Sequence, residues 1–185
     1  MAANTSTITF DVHDCKVYPI TADAVGGITY GSAVDVPGIQ EVTLEPNFVS
    51  VELKGVGKVL AKKGKVDRLN FSGTYAEMSL DVLAVIFGGS VTAGGTLASE
   101  TAAYTFTGQS LPYFKIEFLI SDLESDLEEL VVTLNKCQIT GGTLVNGSTD
   151  NFGTPSFTAE AILPAYEVAG FGSVTFREDA IGLTA

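Results

Sequence analysis

The sequence predicts a mainly β fold, a single-domain β-sandwich or barrel with one flanking α-helix and a long extended hairpin loop. Three observations predict it. Apolar and polar residues alternate with period two along most of the chain, with many Thr, Val and Phe, as half-buried strands do. Glycine pairs such as Gly26-Gly27, Gly94-Gly95 and Gly141-Gly142 punctuate these runs. A single segment, Ser79–Gly89, reads apolar on every side and carries helix end signals.

Taken in chain order, Ile8 and Phe10 alternate with threonines, and Lys16–Thr21 is short and rich in β-branched and aromatic residues. Ile39–Leu44 leads through Pro46 to the alternating Phe48–Leu53. Leu69, Phe71 and Tyr75 share one parity. Tyr104 and Phe106 follow, then Phe114, Ile116, Phe118 and Ile120 with Lys115 and Glu117 on the opposite face. Val131–Thr140, Ser156–Leu163 and Ser173–Arg177 complete a set of about nine strands, enough for a sandwich or barrel. No repeat or linker divides the chain, so residues 1–185 read as one domain.

The helical segment, SLDVLAVIFGG, has Ser79 as its N-cap and Asp81 in its first turn, and it stops at Gly88-Gly89. Leu80, Val82, Leu83, Val85, Ile86 and Phe87 leave it no polar face beyond Asp81. Leu83 and Phe87, four apart, are expected on the buried stripe, and Val82, Val85 and Ile86 on an outer face against another chain. A helix covered within its own chain and a short buried strand are the alternatives.

The charge distribution is uneven. The chain of 185 residues carries a formal −12, yet six of its ten basic residues fall in Lys54–Arg68. They are Lys54, Lys58, Lys62, Lys63, Lys65 and Arg68, and Val56, Val59 and Leu60 lie among them. The acidic total argues against broad contact with nucleic acid or an anionic membrane. Three readings compete for Lys54–Arg68: a solvated loop, a DNA-contacting patch that lacks stacking aromatics, and an arm, residues 54–65, that docks on an acidic surface of the next subunit or ring. The acidic run Asp122, Glu124, Asp126, Glu128 and Glu129 is the expected partner. Its spacing does not match a calcium loop.

Catalytic signals are sparse. His13 is the only histidine, and adjacent strand residues point to opposite faces, so His13-Asp14-Cys15 makes no compact group by itself. Lys54-Gly55-Val56-Gly57-Lys58 precedes no helix N-terminus and reads as a hairpin turn rather than a phosphate cradle. Cys15 and Cys137 read as reduced, packed thiols. Neither an enzyme, a cofactor nor a metal site is expected. The longest apolar run, Val82–Phe87, is far short of a membrane span, and MAANTSTITF lacks the basic and apolar regions of a signal peptide. A chain made in a cytoplasm, or packaged from one, is expected.

VPGIQEVTLEPNFVSVELKGVGKVL, followed by VDRLNFSGTYAEMSLDVLAVIFGGSV, resembles the major tail tube proteins of long-tailed bacteriophages. LPYFKIEFLI, LNKCQIT and the closing strand with Phe157, Ala159 and Ala161 extend the likeness over about Val36 to Phe176. The resemblance implies a virion protein that forms six-subunit rings stacked into a hollow tube, with a hairpin arm reaching towards the neighbouring ring. It implies that DNA passes through the lumen without specific binding. Its partners would be further copies of itself and tape measure, tail-tip and terminator proteins, with no membrane. Assembly would take place in the host bacterial cytoplasm. A negative lumen would repel phosphates, and strand parity makes Glu117 and Glu160 the candidate lumen carboxylates. The inner tube of a contractile tail or injection machine shares the implied fold. A β-sandwich binding module is the alternative from another class, though the chain has no Trp for a sugar-binding cleft.

Overall fold

The N-terminal strand β1 (Thr9–Ala24) joins what reads in sequence as two short strands and the residues between them, His13-Asp14-Cys15. It opens a computed structural model that describes residues 9–96, 99–108, 110–122, 129–145, 153–165 and 170–177. There follow β2 (Gly27–Tyr30), β3 (Val34–Asp35), β4 (Ile39–Gly55), β5 (Lys58–Tyr75), α1 (Leu80–Phe87), β6 (Ser90–Thr96), β7 (Ser99–Thr105), β8 (Phe114–Asp122), β9 (Glu129–Thr143), β10 (Ser156–Ala161) and β11 (Gly172–Arg177).

Every strand pairing is antiparallel. The main sheet runs β2-β1-β8-β9-β10-β5-β4, with β3 also on β1 and β11 also on β9. β6 and β7 form a separate two-stranded ribbon. The path ends at β2 and β4 and is not closed into a barrel, although it curls enough to bring β1 near β4. Among the described residues this is a mainly β chain with one helix, as the alternation predicts.

Alternation decides what the sheet buries. Val17 of β1, Phe71 of β5, Phe114, Ile116 and Phe118 of β8, Leu134 of β9 and Phe157 of β10 all point into one core. Phe71 sits at its centre, with ring centroids 5.3 Å from Phe118 and 5.5 Å from Phe157 in tilted arrangements that suit the ring quadrupoles. Cys15 and Cys137 are free thiols in this core, and burial pushes both thiols well above their ordinary pKa. They are packing residues rather than nucleophiles.

The helix starts where Ser79 Oγ accepts the Val82 amide at 3.4 Å, and it ends at Gly88, whose φ of 74° is open to glycine. Val82, Leu83, Val85 and Ile86 are all buried within the chain. Helix α1 lies against β1, β3 and β9 and also against the β6–β7 ribbon. The expected outer face of Val82, Val85 and Ile86 is therefore corrected: the chain's own strands cover it, and the exposed helix residue is Asp81. Of the expected buried stripe, Leu83 is buried, while Phe87 is half-buried and packs at the margin of the core, as Leu80 is half-buried at the other end.

Candidate functional site

β4 and β5 continue well beyond the body of the sheet as a two-stranded ribbon. Their pairing runs unbroken in direction from Ile39↔Tyr75 to Gly55↔Lys58. Only the inner part of β5, from Leu69 to Thr74, also pairs with β10. Residues 54–65, expected as a loop, are strand on both sides of a two-residue turn, Val56-Gly57. The hairpin turn expected within Lys54–Lys58 is present, and cross-strand pairing uses Gly55 and Gly64 as strand residues.

Val56 and Gly57 have φ of 45° and 75°. A two-residue hairpin turn with both centres left-handed matches the twist of the strands, and Asn-Gly or Asp-Gly normally fills it. A β-branched Val at the first position is strained there, and its side chain is fully exposed. Beside the turn the register slips, so that Leu53 faces Ala61 while Lys54 faces Val59. Leu60 is the extra residue, and its side chain folds over Gly55, where a Cβ would lie only 2.6 Å from Leu60 Cδ1.

Cross-strand partners share a face, so the register sorts the ribbon's side chains. One face carries Phe48, Ser50, Glu52, Lys54, Val59 and Lys62. On this face one carboxylate serves two ammonium groups: Glu52 lies 3.7 Å from Lys54 and 3.5 Å from Lys62. The other face carries Val49, Val51, Leu53 and Leu60 in a row, flanked by Lys58, Lys63 and Lys65. These three lysines make no ion pair among the described residues. All four apolar residues of this face are exposed, Val51 at 71% and Leu60 at 66%. The arrangement is a cationic, amphipathic surface raised on a ribbon, suited to a partner that offers carboxylates around an apolar patch.

Arg68, grouped by sequence with the arm, belongs to the body. Its guanidinium donates to Glu160 at 2.8 Å and to Asp67 at 3.0 Å, and these carboxylates hold it more firmly protonated, Glu160 foremost. Glu160 is thus the partner of a cation. Glu117 likewise accepts from Tyr18 at 2.7 Å and from Lys115 at 2.9 Å. Parity places both carboxylates on the face opposite the core, since Ile116, Phe118, Ala159 and Ala161 are buried. Each is paired with a cation on that same face, Glu117 with Lys115 and Glu160 with Arg68. Tyr18 and Tyr30 stack against Lys115, with Nζ 3.8 and 4.7 Å from their ring centroids. Burial, and for Tyr18 the bond to Glu117, raise both phenols above their ordinary pKa.

The acidic run is the second correction. Glu129 is only 4% exposed and its Oε1 lies 3.0 Å from His13 Nε2, so it is no docking carboxylate. Asp122 ends β8, while Glu124, Asp126 and Glu128 lie outside the described residues. Sequence reasoning gave His13 no partner; folding supplies two. With Nε2–H donated to Glu129, Nδ1 accepts from the Ser121 hydroxyl at 2.8 Å. Ser, His and Glu together bring hydrolytic relays to mind, but such a relay puts the nucleophile on Nε2 and the carboxylate on Nδ1. Here the order is reversed, and the trio fastens β1, β8 and β9 together. No signal in the sequence links positions separated by 108 and 116 residues.

No protein-family model and no curated protein matches the chain.

Proposed function

We propose that this chain is a structural subunit of a virion tail tube, polymerising as stacked six-subunit rings around a channel for DNA. The observation that carries the reading is the β4–β5 ribbon, which holds seven large apolar side chains in water at the edge of the molecule: Phe48, Val49, Val51, Leu53, Val56, Val59 and Leu60. A two-stranded hairpin is marginal by itself. Covering each such side chain contributes about 1.5–3 kcal/mol, so burying even half of them offsets much of the cost of association. The resemblance of Val36–Phe176 to tail tube proteins supports the same reading and supplies its six-fold, stacked form. The chain would act by shape and surface charge, without chemistry of its own.

Negative-stain microscopy of the concentrated protein tests this. Tubes or six-fold rings are expected. Uniform monomers at every concentration and ionic strength would sink the proposal. Tubes that bind a contractile sheath would move the assignment to an inner tube.

A further inference from the structure

The unpaired charges at the two ends of the β4–β5 hairpin are opposite in sign. Residues 46–66 hold five lysines against Glu52, a formal +4, which leaves −16 for the remainder of a chain whose total is −12. A second copy of this chain is therefore an electrostatically suitable occupant of the ribbon face, whereas an anionic membrane would be repelled by the body behind it. Within the body, Glu41 at the root of β4, Glu77 just beyond β5 and Asp81 in the first turn of α1 are exposed. They make no ion pair among the described residues. Met78, beside Glu77, is an exposed large apolar residue at the same end. The root thus offers three free carboxylates and an apolar side chain; the ribbon face offers three free lysines and an apolar row.

We infer that the face bearing Val49, Val51, Leu53, Leu60, Lys58, Lys63 and Lys65 docks on the Glu41–Glu77–Met78–Asp81 surface of a second copy. The inference rests on the tube proposal for the existence of an assembly and adds the receiving surface. β5 spans 18 residues, so Lys58 and Glu77 lie roughly 55 Å apart along one chain and cannot meet within it. The two surfaces are different patches, so the contact is heterologous. Each docking leaves one ribbon and one root unused, and growth runs head to tail. Charge placement also sets polarity, since ribbon against ribbon and root against root both repel.

Charge reversal reads this directly. Lys58→Glu, Lys63→Glu and Lys65→Glu in one variant, and Glu41→Lys with Glu77→Lys in another, should each raise the concentration needed for assembly by roughly tenfold or more, followed by sedimentation. An equimolar mixture of the two should assemble again, because each variant's ribbon then faces a root of opposite sign. In parallel, carbodiimide treatment of assembled wild-type protein should join Lys58, Lys63 or Lys65 to Glu41, Glu77 or Asp81, identified by mass spectrometry. This second measurement holds even if a variant fails to fold. Normal assembly of the root variant, a mixture that stays monomeric, or ribbon lysines joined only to other carboxylates would each overturn the pairing while leaving the tube proposal standing. Wild-type protein that never assembles, or that binds phosphatidylserine vesicles as a monomer, would overturn both.

Discussion

His13 on β1 reaches across β8 to Glu129 on β9, with Nε2 and Oε1 3.0 Å apart and Ser121 bonded to the other ring nitrogen. One side chain thereby spans three strands at the end of the sheet where β8 finishes and β9 begins. Replacing His13 with Ala removes a bond from a carboxylate that is almost wholly buried, and the expected cost is about 1–3 kcal/mol in urea unfolding. Ser121→Ala removes only a half-exposed hydroxyl and should cost well under half as much. Equal losses would mean that the trio does not act as described.

The aromatic centre should be the more costly site. Phe71 is 1% exposed and touches both Phe118 and Phe157. Phe71→Ala is expected to cost about 3–5 kcal/mol, because three strands that meet on one ring cannot collapse into the space it leaves. A loss near that of an exposed Phe48→Ala would contradict this placement.

The helix offers a contrast between stability and assembly. Val85 is buried in the core cluster, so Val85→Asp should unfold the monomer or lower its melting temperature strongly, since an unpaired carboxylate would be buried. Had its face been reserved for a neighbouring chain, the same variant would stay folded and fail only to assemble. Circular dichroism of the monomer separates the two outcomes.

The turn at the ribbon tip should be improvable. Val56→Asn places a residue tolerant of left-handed φ where the backbone already requires it. Relief of about 1 kcal/mol should slow amide exchange near the tip roughly fivefold and raise the global unfolding free energy by no more than the same amount. Unchanged exchange would show that the valine is not strained.

Acid sensitivity should trace in part to Asp23. Its carboxyl is held below the ordinary carboxylate range, first by the 2.6 Å bond from Lys136 and then by the Ala165 amide. A carboxyl with a depressed folded pKa stabilises the fold above its unfolded value, about pH 4. That contribution is lost as pH falls through the folded value. Asp23→Asn should therefore flatten the decline of melting temperature below about pH 4 and lower stability at neutral pH. A decline identical to wild type would remove Asp23 from the acid response.

Local chemistry by itself determined much of this protein. Period-two alternation marked Ile116, Phe118, Ala159 and Ala161 as inward and Glu117 and Glu160 as outward, because a strand's side-chain parity needs no knowledge of its neighbours. Ser79 and Gly88 bounded the helix for the same reason: a cap is a contact over three or four residues. Partners across the sheet were a different matter. Whether Val82 and Val85 face another chain or their own, whether Glu129 is surface or core, and which lysines of the ribbon remain unpaired depend on strand order and register. Those are set by contacts between residues tens to more than a hundred positions apart, whose energies no local pattern contains. The slip at Leu60 shows the point at its smallest scale: one extra residue on β5 brings Leu60 to the face of Val51 and Leu53, and only the paired ribbon reveals it.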